Sequence, residues 1–202
     1  MIMRSIPPAA GKTALFLLAV LAAAACNPIV NDSTSNTLLI IESLTGLDLD
    51  GLASGFCKSD VLYTDPDTGG SSVVADIGTA ILSSQPLDPN PVLGNSTYLD
   101  IQLNKISVAY VRADGRNTPG QDVPYPFEAG IAGTVRVGTL FTLSFTLVRE
   151  AAKLESPLIQ LRNVAETIEV TAEITFWGKD LSGRAVKAVG YLPITFADFA
   201  NR

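Results

Sequence analysis

The stretch ETIEVTAEITFW, residues 166–177, decides the fold class of this chain. Apolar side chains occupy every second position from Ile168 to Phe176, and threonine and glutamate fill most of the positions between them. Alternation with a period of two and a single apolar face is typical of a half-buried antiparallel strand. The stretch therefore predicts a strand that has one face on a core and the other in solvent.

The neighbouring segments extend the same pattern. After a turn over residues 178–184, alternation resumes through residues 186–196, which predicts a hairpin with the first strand. Residues 135–147 predict one long strand. Residues 98–112 predict another, whose apolar face changes parity near Asn104, as expected for a β-bulge or for a strand that crosses between sheets. Shorter strand candidates are residues 57–63 and 73–82.

About seven strands between Gly/Pro/Asp turns, with almost no helix, predict an all-β fold. We expect an antiparallel two-layer β-sandwich of the immunoglobulin or fibronectin III kind, formed by one domain over residues 38–202. The chain has two cysteines, Cys26 and Cys57, and no disulfide framework. A buried, inert thiol is the favoured interpretation of Cys57, and an intermolecular disulfide or a reactive thiol is the alternative.

The amino-terminal segment indicates export. Arg4 and Lys12 precede the apolar run LFLLAVLAAAAC, residues 15–26, which is too short to span a bilayer as a helix. A charged start, a short apolar centre and small residues before a cysteine resemble a bacterial lipoprotein signal. This resemblance implies a cleaved signal over residues 1–25, lipid on Cys26 and a tether over residues 26–37. An ordinary secretory signal is the alternative.

The resemblance to lipoproteins also implies a location. Asn27 follows the cysteine, so the aspartate that retains lipoproteins in the inner membrane of enteric bacteria is absent. We therefore expect residence in the cell envelope, in the outer membrane if the host has one. Without residues 1–25, the chain keeps 12 basic and 20 acidic residues, a formal charge of −8. That charge argues against nucleic acid or anionic phospholipid as the main partner.

Residue types limit the chemistry that the chain can perform. It has no histidine, which removes Ser–His–Asp and Cys–His catalysis and histidine metal sites. We expect no cofactor and no metal. Asp48 and Asp50, and likewise Asp65 and Asp67, offer clustered oxygen atoms, but neither pair continues into a calcium loop that ends in glutamate. Turn formation is the favoured explanation of both pairs.

One long connection, residues 112–127, is the candidate binding loop. It combines the charged residues Arg112, Asp114 and Arg116 with the aromatic residues Tyr125 and Phe127. Loops on a rigid scaffold often carry binding sites, and the prolines beside Tyr125 stiffen this one. In the structural alternative, the two aromatic residues close the end of the sandwich while Arg112 and Asp114 pair locally.

The carboxyl-terminal half resembles a family of exported bacterial lipoproteins of uncharacterised function. The segments that carry this resemblance are VTAEITFWGKD (170–180), GRAV (183–186), FADF (196–199) and the Asp-Gly-Arg-Asn-x-Pro-Gly loop that starts at Asp114. It covers roughly residues 97–199. It implies an immunoglobulin-like sandwich in which an aromatic-Gly-x-Asp turn joins the last two strands, and it implies no reaction or ligand.

Two functions agree with these observations. The favoured one is a membrane-anchored, non-catalytic binding or assembly module that holds another component of the envelope. The alternative is a glycan-binding protein, or a weak glycoside hydrolase that uses carboxylates, at the cell surface. Hydrolysis would require two carboxyl groups about 5–9 Å apart in an open cleft.

Overall fold

The computed structural model describes residues 35–47, 52–88, 90, 94 and 96–199. The predicted lipid attachment site at Cys26 and the turn at Asp48 and Asp50 lie outside these residues. The described part consists of strands and very little helix. The strands are β1 (Thr37–Leu47), β2 (Ala53–Ser54), β3 (Cys57–Asp60), β4 (Tyr63–Thr64), β5 (Ser71–Ser72), β6 (Asp76–Pro86), β7 (Ile101–Val111), β8 (Phe127–Val135), β9 (Leu140–Val148), β10 (Ile168–Asp180) and β11 (Ala185–Ala197).

Three single turns of helix join these strands: the 3₁₀ turns η1 (Thr97–Leu99) and η2 (Leu158–Leu161) and the α-helical turn α1 (Glu150–Lys153). The fold is therefore all-β, as the sequence predicts. Within the described residues, no helix has the length and apolar character needed to cross a bilayer.

Two main sheets make up the domain. One has the strand order β2-β1-β6-β9, and the other has the order β3-β11-β10-β7-β8. All neighbours in these sheets are antiparallel except β3, which runs parallel to β11. A separate two-stranded sheet pairs β4 with β5.

The strands agree with the sequence pattern in most places. β10 and β11 form the predicted hairpin, with Ile168 opposite Phe196. The parity change in β7 is a β-bulge: Trp177 pairs with Lys105 and Gly178 pairs with Leu103, so Asn104 is the extra residue. The long strand predicted over residues 135–147 is wrong. β8 ends at Val135 and β9 begins at Leu140, because Gly138 takes a positive φ of 75° that turns the chain.

The core lies between the two main sheets. Phe145 of β9 meets Phe176 of β10 edge to face, with ring centroids 5.6 Å apart. The hydroxyl of Tyr110 in β7 donates to the carbonyl oxygen of Leu147 in β9 over 2.8 Å. Cys57 is fully buried, and its thiol donates to the carbonyl oxygen of Leu47 over 3.4 Å. Buried side chains therefore hold the two sheets together.

The two ends of the domain differ in their role. Ser35 and Thr37, which the sequence assigned to the tether, are buried, and the hydroxyl of Ser35 donates to the carboxylate of Asp180 over 2.6 Å. Ile101 and Val135 lie at this same end, since Asp180 pairs with Ile101 and Ile101 pairs with Val135. We call it the proximal end. The connection after Val111 lies at the other end, which we call the distal end, roughly 33 Å away at 3.3 Å per strand residue.

Candidate functional site

The charged residues of the predicted binding loop pair with one another. Asp114 receives two hydrogen bonds from the Arg112 guanidinium, over 3.1 and 2.7 Å, and two from that of Arg116, over 3.0 and 2.8 Å. The backbone amide of Arg112 also donates to the Asn117 side chain over 2.6 Å. The three charged side chains thus form a local cluster at the distal end.

This cluster changes the ionisation of its members. The Arg112 guanidinium, followed by that of Arg116, holds the pKa of the Asp114 carboxyl well below its usual range. The hydrogen bond to Asp114 raises the pKa of Arg112 above its ordinary value. Asp114 therefore stays ionised near neutral pH, which is the wrong protonation state for a general acid.

Tyr125 packs within the same loop. Its ring lies directly over Gly120, where an added Cβ would collide with the phenol, and Gly120 has a positive φ of 77°. The amide of Gly120 donates to the carbonyl oxygen of Val123 over 2.8 Å, and Val123 is buried. Tyr125 stays half exposed. The loop is thus a compact, internally bonded cap at the distal end.

Phe127 lies outside that cap, as the first residue of β8. It borders a groove between β8 and β9, the last strand of each main sheet. The groove has a volume of about 460 Å³ and a mostly apolar lining. Its lining residues come from β6 to β9 and the segment after β9: Ile77, Ile106, Phe127, Glu128, Ala129, Gly130, Ile131, Ser144, Phe145, Thr146 and Arg149. We call it the edge groove.

The edge groove is closed at one end only. Towards the proximal end, the ring of Phe141 in β9 lies against Gly133 in β8, where an added Cβ would collide with it. Further along β8, Ala129 and Ile131 are only partly buried, although they are inward positions of the strand. The inward side chains of β8 are therefore less covered towards the distal end than at Val135, which is fully buried.

Arg149 lies at the mouth of the edge groove. Its guanidinium carbon is 4.9 Å from the centroid of the Phe127 ring, a distance at which a cation and a ring attract each other. Its Nε is buried and has no hydrogen-bond partner among the described residues. Leaving a buried charged donor unsatisfied costs free energy, so a hydrogen-bond acceptor at this atom would be stabilising. Glu128, the other charged residue of the groove, pairs with Lys105 over 2.9 Å.

A buried ion pair holds the segment after β9. Lys153 of α1 is 1% exposed, and its Nζ donates to Asp76 of β6 over 2.8 Å. Asp76 also accepts from the hydroxyl of Ser59 over 2.5 Å. Burial raises the pKa of Asp76 above its ordinary value, although Lys153 and Ser59 act in the opposite direction. Because Arg149 directly precedes α1, at its N-cap position, this contact also positions Arg149.

Trp177 and Asp65 also occupy defined environments. Trp177 lies on the solvent-facing side of β10 between Lys105 and Lys187, whose Nζ atoms are 5.0 and 5.5 Å from its ring. The Asp65 carboxylate accepts from the amides of Asp67 and Thr68 and from the Thr68 hydroxyl, which are contacts of a turn. The two lysines partly cover the Trp177 ring, and the oxygen atoms of Asp65 accept hydrogen bonds within its own turn.

The sequence pattern located one part of the edge groove and missed the rest. Of the five predicted loop residues, Phe127 lines the groove, while Arg112, Asp114, Arg116 and Tyr125 belong to the distal cap. Arg149 was missed. The only signal for it was a basic residue directly after the alternating apolar residues of β9, which is common at the end of any strand.

The chain was compared with protein-family models, curated proteins and solved structures, and no match was found. Its function is therefore inferred from the geometry of the domain.

Proposed function

We propose that this chain is an exported, lipid-anchored protein of the cell envelope that binds another envelope protein without catalysis. Lipid on Cys26 would hold it at the membrane, in the outer membrane if the host has one, and the edge groove would be its binding surface. The observation that carries the proposal is the edge groove itself: an apolar cleft between two sheets, bordered by β8 and β9, each of which lacks a neighbour on its groove side among the described residues.

We further propose that the fold is an immunoglobulin-like β-sandwich. In this assignment, β1, β6 and β9 correspond to strands A, B and E, and β8, β7, β10 and β11 correspond to C′, C, F and G. The turn over residues 136–139 connects β8 directly to β9. Strand D, which lies beside E in constant-type domains, has no counterpart among the described residues. The edge groove runs along the place of that strand.

The position of the edge groove suits a tethered module. Ser35 and Asp180 fix the start of the folded chain at the proximal end, and the open half of the groove lies towards the distal end. The eight residues between Cys26 and Ser35 would add a mean span of about 16 Å if they behave as a flexible chain. A lipid on Cys26 would therefore keep the domain near the membrane while leaving the groove accessible to a partner.

Photo-crosslinking in intact cells tests the proposal. A photoreactive residue in place of Ile131 faces the edge groove, and the same residue in place of Ala132, its exposed neighbour on the opposite face, is the matched control. We expect a discrete adduct with another protein from position 131 that is absent from position 132. Monomer alone, a dimer of this chain or a glycan adduct at position 131 would contradict the proposal.

The anchor is tested separately by fractionation. Replacement of Cys26 by serine should move the protein from the membrane fraction to the soluble fraction, because serine provides no thiol for the lipid. A Cys57→Ser variant is the control, since Cys57 is buried within the domain. Retention of the Cys26→Ser protein in the membrane fraction would refute the lipoprotein assignment and leave the binding role of the edge groove untouched.

A further inference from the structure

The backbone of β8 borders the edge groove directly. Five consecutive residues of β8, 127–131, line the groove, together with three consecutive residues of β9, 144–146. Successive side chains of a strand point to opposite faces, so a wall made only of inward side chains would contain alternate residues. Lining by consecutive residues places the edge of the strand, with its N–H and C=O groups, at the groove.

The edge of β8 is available for pairing. β8 is the last strand of its sheet among the described residues, and an edge strand presents a row of unpaired backbone groups that can pair with another chain. Leu103 pairs with Gly133 and Lys105 pairs with Gly130, so a bulge at Ile131–Ala132 interrupts the regular part of β8. The regular part of β8 beside the groove is therefore the four residues 127–130.

The apolar side chains of the groove favour a bound segment with apolar residues at alternate positions. Phe127, Ala129 and Ile131 are the inward positions of β8, and all three are only partly buried. A bound strand beside β8 would place every second side chain in the same cleft, and it would cover this apolar surface.

The charge at the mouth of the groove adds a second requirement. Lys105 already neutralises Glu128, whereas the buried Nε of Arg149 has no hydrogen-bond partner among the described residues. A carboxylate is the strongest acceptor for a guanidinium in proteins. An acidic group near one end of the bound strand would therefore satisfy Arg149.

We propose that the partner binds by strand addition: an extended segment pairs with the edge of β8 at residues 127–130, places alternate apolar side chains in the groove and presents a carboxylate to Arg149. This inference rests on the proposed function, because it names how the partner binds at the same groove. It identifies the partner segment by its chemistry, which is an extended stretch of alternating apolar residues with an acidic residue or a chain terminus at one end.

Hydrogen exchange in the captured complex tests the backbone pairing. The complex is formed on the full exported chain through the photoreactive residue in place of Ile131, which faces the groove and lies outside the regular part of β8. We expect exchange to slow at least tenfold at those amides of residues 127–130 that point away from β7, with no change in the separate β4–β5 sheet as the internal control. A crosslinked partner with unprotected β8 amides would overturn strand addition and leave the proposed function standing. Failure to crosslink any protein would overturn both.

Replacement of Arg149 by lysine tests the contact with the carboxylate. Lysine keeps the positive charge but lacks the Nε–H donor. Loss of a hydrogen bond to a charged group predicts about tenfold weaker capture of the partner. Arg136→Lys, on the exposed turn between β8 and β9, is the matched control. Equal capture by the two variants would overturn the role of Arg149, whereas weaker capture by Arg149→Lys at an unchanged Tm would support it.

Discussion

The two main sheets meet along two sides of the domain, one at β1 and β11 and the other at β8 and β9. These two sides are built differently. On the side of β1 and β11, Gly190 lies beneath Ile41 and Leu44, and an added Cβ would be 2.9 and 3.1 Å from their methyl carbons. On the same side, β3 pairs with β11 and brings Cys57 against Gly46. We call this the closed side. On the side of the edge groove, Gly133 receives such a side chain from the opposite sheet, that of Phe141.

This difference shows how an all-β domain can keep one side for binding. Glycines let bulky side chains of the opposite sheet approach the backbone, so the closed side leaves little surface to cover. Across the edge groove the inward side chains are only partly covered, and the strand edges stay available. The comparison predicts that changes on the closed side lower stability and that changes in the edge groove affect binding.

The largest effect is expected from Lys153→Met, which tests the buried ion pair between Lys153 and Asp76. The substitution leaves Asp76 without its charged partner. Breaking a buried pair in this way costs about 3–5 kcal/mol of the free energy of unfolding. Urea unfolding of this variant and of Lys179→Met, an exposed control on β10, would measure the loss.

The same variant has a predicted pH dependence. Burial already raises the pKa of Asp76 above its ordinary value of 3.8, and removal of Lys153 takes away an opposing attraction. A carboxyl with a raised folded-state pKa favours folding at low pH, and this contribution is lost as the pH rises through that pKa. We therefore expect the deficit of the variant to shrink as the pH falls from 8 towards 5. An equal deficit at both pH values would show that Asp76 does not titrate in this range.

A smaller effect is expected from valine substitutions on the two sides. At Gly46 a Cβ would lie 2.8 Å from the Cβ of Cys57, so valine overfills the closed side and should cost about 1–3 kcal/mol. At Ala129, an inward and only partly buried position in the edge groove, valine should change stability by less than about 0.5 kcal/mol. Thermal unfolding of the two variants measures the difference directly. Similar losses at both positions would contradict the contrast between the two sides.

The smallest effect is expected from Asp114→Ala in the distal cap. The ion pairs of Asp114 are partly exposed, and exposed pairs contribute little to stability, so Tm should change very little. Capture of the partner at position 131 should also persist. Asp114→Asn provides the matched control, since it removes the charge but keeps an acceptor. Loss of capture at an unchanged Tm would move the binding site from the edge groove to the distal cap.

Local sequence patterns predicted much of the fold. The alternation around Ile168 and Phe196 identified the β10–β11 hairpin, and the parity change near Asn104 identified the bulge in β7. The pattern failed at Gly138, because alternating apolar residues continue on both sides of a turn that a single positive φ creates. It also did not predict that β3 runs parallel to β11, because the sequence of one strand does not specify the direction of its partner.

The candidate site was harder to predict. The sequence drew attention to residues 112–127 for their charge and aromatic content, but those charges neutralise one another in the distal cap. Arg149 lies 22 residues after Phe127 in the chain and meets it only after β8 and β9 have formed. A contact of this kind depends on strand order and register, so no local pattern predicts it.

The sequence by itself determined that the chain forms strands with one buried face, because the alternation of apolar residues is a local property of each segment. It also excluded catalysis and metal binding by histidine, since the sequence contains no histidine. Only the tertiary structure decided which strand edges are covered. Cover depends on which distant strands become neighbours: β3 borders β11, whereas β8 and β9 remain the last strands of their sheets in the described part of the chain.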